Sequence, residues 1–267
     1  MNITLIFAFL GLGAVVGFAA GLLGIGGGLL LVPFLTFLFT PAGVPGERLV
    51  HMAIATSLAT IMFTSVSSVL AHHRRAAVLW PVVKLLAPGI LLGSWIGPWI
   101  GKQLTSTTLA LLFALFVAGF ATQMLLDRAP AASRELPGTL GMLAAGSVIG
   151  ILSGLVGVGG AFVSVPFMTW CNVRIHNAVG TSAALGFPIA FAGTLSNITY
   201  GLNTPGLPRG SLGFVFLPAL LLVSLASVFT APLGARTAHR LPVKALKRVF
   251  AVTMLALAGY MIYRSFR

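Results

Sequence analysis

Acidic residues are nearly absent. Glu47, Asp127 and Glu135 are the only three in 267 residues, and charged residues of both signs make up 7% of the chain. Soluble domains carry about 25% charged residues, so this composition excludes one. All three acids fall between apolar stretches, so no carboxylate is expected inside a membrane to hold a proton or a cation. A single cysteine, Cys171, excludes an internal disulfide and a cysteine-based metal site. Alternation of apolar and polar residues every second position is missing, which excludes an outer-membrane barrel. No nucleophile, base and acid cluster together and no metal-ligand set is visible, so hydrolase and intramembrane protease readings fail. No Gly-Lys-Ser or Gly-Lys-Thr follows the glycine clusters, and Gly24-x-Gly26 is followed by Leu29 where a dinucleotide loop needs glycine. The sequence therefore predicts no enzyme, no cofactor and no metal.

What is present is apolar. Hydrophobic residues make up 58% of the chain and the mean hydropathy is +1.05. Many uncharged runs reach about 20 residues, the length needed to cross a hydrocarbon core of about 30 Å as helix. Sixteen Lys and Arg give a formal net charge of +13. They sit mostly in short loops between apolar segments, where the positive-inside rule and anionic headgroups place them, so nucleic acid is rejected as a partner. Met1-Asn2-Ile3-Thr4 lacks a positive leader and reads as the start of the first membrane segment.

Charge-poor runs form eight blocks, at 3–40, 49–71, 78–101, 106–126, 138–171, 176–200, 212–235 and 243–263. At 1.5 Å per residue the first would make a helix of roughly 55 Å, too long for one crossing, and the fifth is similarly overlong. Each must break, and the breakpoints are Gly24-Ile25-Gly26-Gly27-Gly28 and Gly157-Val158-Gly159-Gly160, because consecutive glycines leave helix cheaply.

The two breakpoints belong to one repeated phrase. Gly21-Leu22-Leu23-Gly24-Ile25-Gly26-Gly27 leads to Val32-Pro33-Phe34, and Gly154-Leu155-Val156-Gly157-Val158-Gly159-Gly160 leads to Val165-Pro166-Phe167. A second echo follows each in the same order, His51-Met52-Ala53-Ile54-Ala55-Thr56-Ser57 and His176-Asn177-Ala178-Val179-Gly180-Thr181-Ser182. The chain reads as a duplication, with membrane repeats at 1–130 and 131–267. If each long block crossed the membrane once, the basic residues would divide evenly. If each is a hairpin returning to its own side, eleven Lys and Arg fall on one side and five on the other. That bias selects hairpins, an odd number of crossings per half, inverted repeats and both termini outside.

The paired glycine phrases and the His-x-Ala-x-x-Thr-Ser echo resemble the sulfite exporter family called TauE/SafE, bacterial membrane transporters. The resemblance covers nearly the whole chain. It implies movement of a small sulfur-containing anion, such as sulfite or a short organosulfonate, across the cytoplasmic (inner) membrane. Among the departures between the two phrases, Ala161 answers Gly28 and Ser153 answers Ala20.

Glycines four apart, as at Gly13, Gly17 and Gly21 or Gly93, Gly97 and Gly101, serve close helix packing. Three in succession at Gly26 to Gly28 exceed what packing needs and fit a discontinuous helix at a transport site. The candidate substrate-binding set is therefore Gly24, Gly26, Gly27, Gly28, Gly157, Gly159, Gly160 and Ala161, with the hydroxyls of Thr56, Ser57, Thr181 and Ser182. Those hydroxyls could instead bond back to their own helices. His51, His176 and Arg174 are candidates for coupling or gating, with an interfacial role as the competing reading.

The expected protein is an all-α, multi-pass transporter of two inverted repeats, each a broken hairpin followed by three membrane helices. Its partners are a small anion and the lipid bilayer, and a homo-oligomer is left open. An anion channel and a non-transporting membrane scaffold are the alternatives.

Overall fold

The computed structural model describes residues 2–23, 28–126, 134–238 and 243–265. Among these residues ten α-helices follow one another: α1 (Ile3–Leu23), α2 (Gly28–Phe39), α3 (Leu49–His73), α4 (Trp80–Gln103), α5 (Ser106–Leu126), α6 (Thr139–Val156), α7 (Ala161–Trp170), α8 (Ile175–Gly201), α9 (Leu217–Ala238) and α10 (Val243–Ser265). Among the described residues, seven are long and apolar enough to cross a membrane. The protein is a multi-pass helical membrane protein.

Both long blocks are broken. α6 ends where Gly157 turns left-handed, at φ +77°, and α7 begins after Gly160, at φ +76°. The N–H groups of Gly157 and Val158 both donate to the Ser153 carbonyl, at 2.9 and 3.1 Å, closing the end of α6. The first break separates α1 from α2. Gly24, Gly26 and Gly27 themselves lie outside the described residues.

Each pair of helices folds back on itself. Phe39, at the end of α2, packs edge-to-face on Phe9 near the start of α1, with ring centroids 6.2 Å apart. Likewise Arg134, just before α6, donates its backbone N–H to the carbonyl of Trp170 at the end of α7, and its guanidinium lies 4.9 Å from that ring's centroid.

α3 and α8 form the centre. They run antiparallel: Leu58 faces Gly193, Ser65 faces Gly186, and Ala77 beyond the end of α3 meets Gly180 near the start of α8. Around them the halves are crossed, α1 lying along α9 and α4 along α6. Glycines make that contact possible. A β-carbon on Gly89 or Gly93 would strike the carbonyls of Leu143 or Ser147, and one on Gly150 would sit 2.5 Å from the Ile90 carbonyl. On the other pair, a β-carbon on Gly13 would sit 2.5 Å from the Val223 carbonyl, and Ser227 donates to the Gly13 carbonyl at 2.9 Å. Lipid tails are as apolar as leucine, so backbones that touch over a whole face gain dispersion that side-chain burial alone does not supply.

The expectation of helix throughout the 212–235 block needs one correction. Ser211–Leu212 and Val215–Phe216 form a two-stranded antiparallel hairpin, β1 and β2, and α9 starts only at Leu217. Gly210 and Gly213 adopt positive φ, at +88° and +57°, which ends any helix register there. At Gly213 the Ile198 backbone leaves no room for a β-carbon. The hairpin drives Phe214 and Phe216 into the core, where Phe216 meets Phe39 at 5.5 Å between centroids.

Candidate functional site

The glycine turn at 157–160 sits against the middle of the two central helices. A β-carbon on Gly157 would lie 3.0 Å from Cα of Ile54, and one on Gly159 would lie 3.5 Å from Cγ2 of Ile61. Ile61 is the midpoint of the 25-residue α3. On the other side, a β-carbon on Gly160 would collide with Cδ1 of Ile189, close to the midpoint of the 27-residue α8. The first phrase reaches the same place: a β-carbon on Gly28 would lie 2.7 Å from Ile61 Cδ1 and 3.2 Å from the Gly157 carbonyl. That contact accounts for the difference between the phrases. A methyl at Gly28 would push into the second turn, whereas Ala161 carries its methyl buried at 6% exposure.

The hydrogen bonding at this turn is one-sided. Ser57 donates its hydroxyl to the Gly157 carbonyl at 2.8 Å, so a protein donor already satisfies this acceptor. At the start of α7, Val163 and Ser164 both donate to the Gly160 carbonyl, at 3.0 and 2.9 Å. Among the described residues, no acceptor meets the N–H groups of Gly159, Gly160, Ala161 and Phe162. All four residues are buried. These are the orphan donors that open any helix, and they carry the positive end of its dipole. An oxyanion is their natural complement.

The remaining expected hydroxyls have partners of their own. Thr56 Oγ1 accepts the N–H of Phe216 at 3.1 Å, and Thr181 Oγ1 accepts the N–H of Leu79 at 3.0 Å. Each threonine thus holds the residue just before the fourth helix of the opposite half. Ser182 Oγ accepts the hydroxyl of Ser164, one turn into α7, at 2.7 Å. So the structure gathers Gly28, Ser57, Gly157, Gly159, Gly160 and Ala161 at one point, with Ser182 tied to the next turn of α7.

His51, His176 and Arg174 are elsewhere. His51 is 4% exposed near the start of α3, its Nε2 lying 3.1 Å from the carbonyls of both Gly101 and Leu104 and its Nδ1 3.4 Å from Ser106 Oγ. It fastens α3 to the end of α4 and the start of α5. His176 and Arg174 are exposed at the start of α8, and the dozen or so residues separating them from Ile189 span roughly 20 Å of helix. Glu47 and Glu135 are exposed, and Asp127 lies outside the described residues. One further residue at the turn, Ser153, is fully buried, and its sequence signal was only the departure from Ala20.

Comparison with known proteins agrees with this architecture. The family described as sulfite exporter TauE/SafE matches over residues 9–261. A probable membrane transporter protein of Haemophilus influenzae is 38% identical over 257 residues, covering 96% of this chain and 97% of that protein. One of Xylella fastidiosa is 30% identical, covering 99% and 98%, and one of Methanocaldococcus jannaschii is 27% identical, covering 92% and 91%. No solved structure matches the chain.

Proposed function

We propose that this chain, which belongs to the sulfite exporter TauE/SafE family and is a membrane transporter, exports a small sulfur-containing anion by alternating access at the glycine turns. One observation carries the reading: among the described residues, the N–H groups of four buried residues, 159–162, meet no acceptor midway along the two central helices. Backbone donors bind an oxyanion without a formal cation, which leaves release fast enough for turnover. With the cytoplasm negative, each unit of negative charge leaving gains about 2.3 kcal/mol per 100 mV, so outward movement needs no coupling carboxylate.

The moving parts on this reading are two inverted halves, 1–130 and 131–267. The antiparallel run of α3 against α8 supports the inversion, as do the hairpins of α1 with α2 and α6 with α7. With three crossings per half, both termini lie outside and the Arg74-Arg75 loop lies in the cytoplasm. Single cysteines placed at Asn2, Arg75 and near the C-terminus, in a chain with Cys171 replaced, are expected to label from outside, inside and outside respectively. Labelling of the two termini from opposite sides would defeat the inverted arrangement.

Transport itself is tested in liposomes. Saturable sulfite flux with counterflow, accelerated by sulfite on the opposite side, is the expected result. Discrete single-channel currents would make the protein an anion channel. No flux of any anion would leave a membrane scaffold.

A further inference from the structure

Ser153 is a buried hydroxyl with nothing to bond. It is 0% exposed, and among the described residues its Oγ has no hydrogen-bond partner. Serine inside a helix usually returns its proton to a carbonyl one turn back, and this one does not. A buried unsatisfied hydroxyl carries a desolvation penalty, so its retention calls for a partner that comes and goes. Its position says which partner. Oγ lies 3.1 Å from the point where a β-carbon would stand on Gly160, a point the Ile189 side chain already crowds, so the hydroxyl sits against the bare Gly160 backbone. That backbone leads directly into the first N–H groups of α7. Ile149 and Ile189 also border it, at 3.6 Å for Ile149 Cγ2, giving a low-dielectric wall that strengthens any hydrogen bond to a charge.

We propose that Ser153 Oγ donates to the bound oxyanion alongside the free amides of 159–162, giving the second glycine phrase a side-chain donor that the first lacks at the matching position. The inference rests on the transport reading above and adds the residue that breaks its symmetry. Ala20 occupies the corresponding place in the first phrase and has no donor to offer.

The test uses detergent-purified full-length protein with sulfite as probe, followed by thermal shift and by equilibrium binding of labelled sulfite. Ser153→Ala is expected to weaken sulfite binding by roughly ten-fold or more, the scale of a hydrogen bond to a charge, while leaving the ligand-free melting temperature unchanged or raised. Ser153→Cys replaces the hydroxyl with a slightly bulkier, weak donor, and a loss shared by the smaller Ala and the larger Cys, with both ligand-free melting temperatures preserved, points to the hydrogen bond rather than to packing. A lowered ligand-free melting temperature with sulfite affinity intact would make Ser153 a structural residue and overturn the inference alone. If sulfite, thiosulfate and sulfoacetate all fail to bind or stabilise the unaltered protein, the transport reading falls with it.

Discussion

Gly160→Val is expected to abolish sulfite binding and flux. Gly160 holds φ at +76°, where a β-branched residue is strained, and its β-carbon would run into Ile189 while standing 3.1 Å from Ser153 Oγ. The turn would have to swing away, taking the first N–H groups of α7 with it. Since so severe a change could disturb folding, Gly159→Ala is the companion variant. Gly159 does not need a positive φ, and its β-carbon would meet nothing nearer than 3.5 Å. Its methyl is accommodated by the fold but occupies space beside the free amides, so it is expected to lower sulfite affinity at least ten-fold with the ligand-free melting temperature preserved. Retention of full affinity by both variants would reduce the glycine phrases to packing devices.

Gly93→Ala is expected to destabilise the protein strongly. The added carbon would strike the Ser147 carbonyl and sit 2.8 Å from the Ile151 nitrogen, both backbone atoms that cannot rotate aside. α4 and α6 would be forced apart along the face shared with Gly89, Gly97, Gly146, Gly150 and Gly154. Overpacking costs about 1–3 kcal/mol, and separation of two helices places this case at or above the upper figure. Gly119→Ala and Gly259→Ala provide the contrast. Neither β-carbon would meet an atom within 4 Å, so each is expected to be neutral or slightly stabilising through helix propensity. Thermal unfolding in detergent decides it: equal melting temperatures for Gly93→Ala and Gly119→Ala would show that the α4–α6 contact is looser than described.

How much of this was visible in the amino-acid order depended on the range of the interaction. Helix lengths and the two breaks are local consequences of apolar run length and consecutive glycine, and the block at 106–126 matches α5 to the residue. The hairpin at 211–216 was hidden because Leu212, Phe214, Val215 and Phe216 are as apolar as the helix they precede, so only Gly210 and Gly213 marked it. At the site, the glycines announced themselves by repetition. The duties of Thr56 and Thr181 did not, because their partners are backbone amides 160 and 102 residues away. Ser57 was legible as a hydroxyl near the turn, but not as the group that caps Gly157. Ser153 showed only as a polar residue where the first phrase has Ala20.

The crossed packing of the helices also sets an order of assembly. Ser94 and Gly150, which join α4 to α6, are 56 residues apart, whereas Gly13 and Ser227, which join α1 to α9, are 214 apart. At about 5–20 residues per second, ribosomal synthesis delivers the partner of α4 within roughly 3–11 s, but leaves α1 waiting about 10–40 s for its own. Throughout that interval α1 lies in the bilayer with its glycine face open, available to any other small-residue helix nearby. Capture of α1 by α9 is therefore a late stage of assembly, and a nascent chain truncated before α9 holds an α1 whose glycine face has lost its partner.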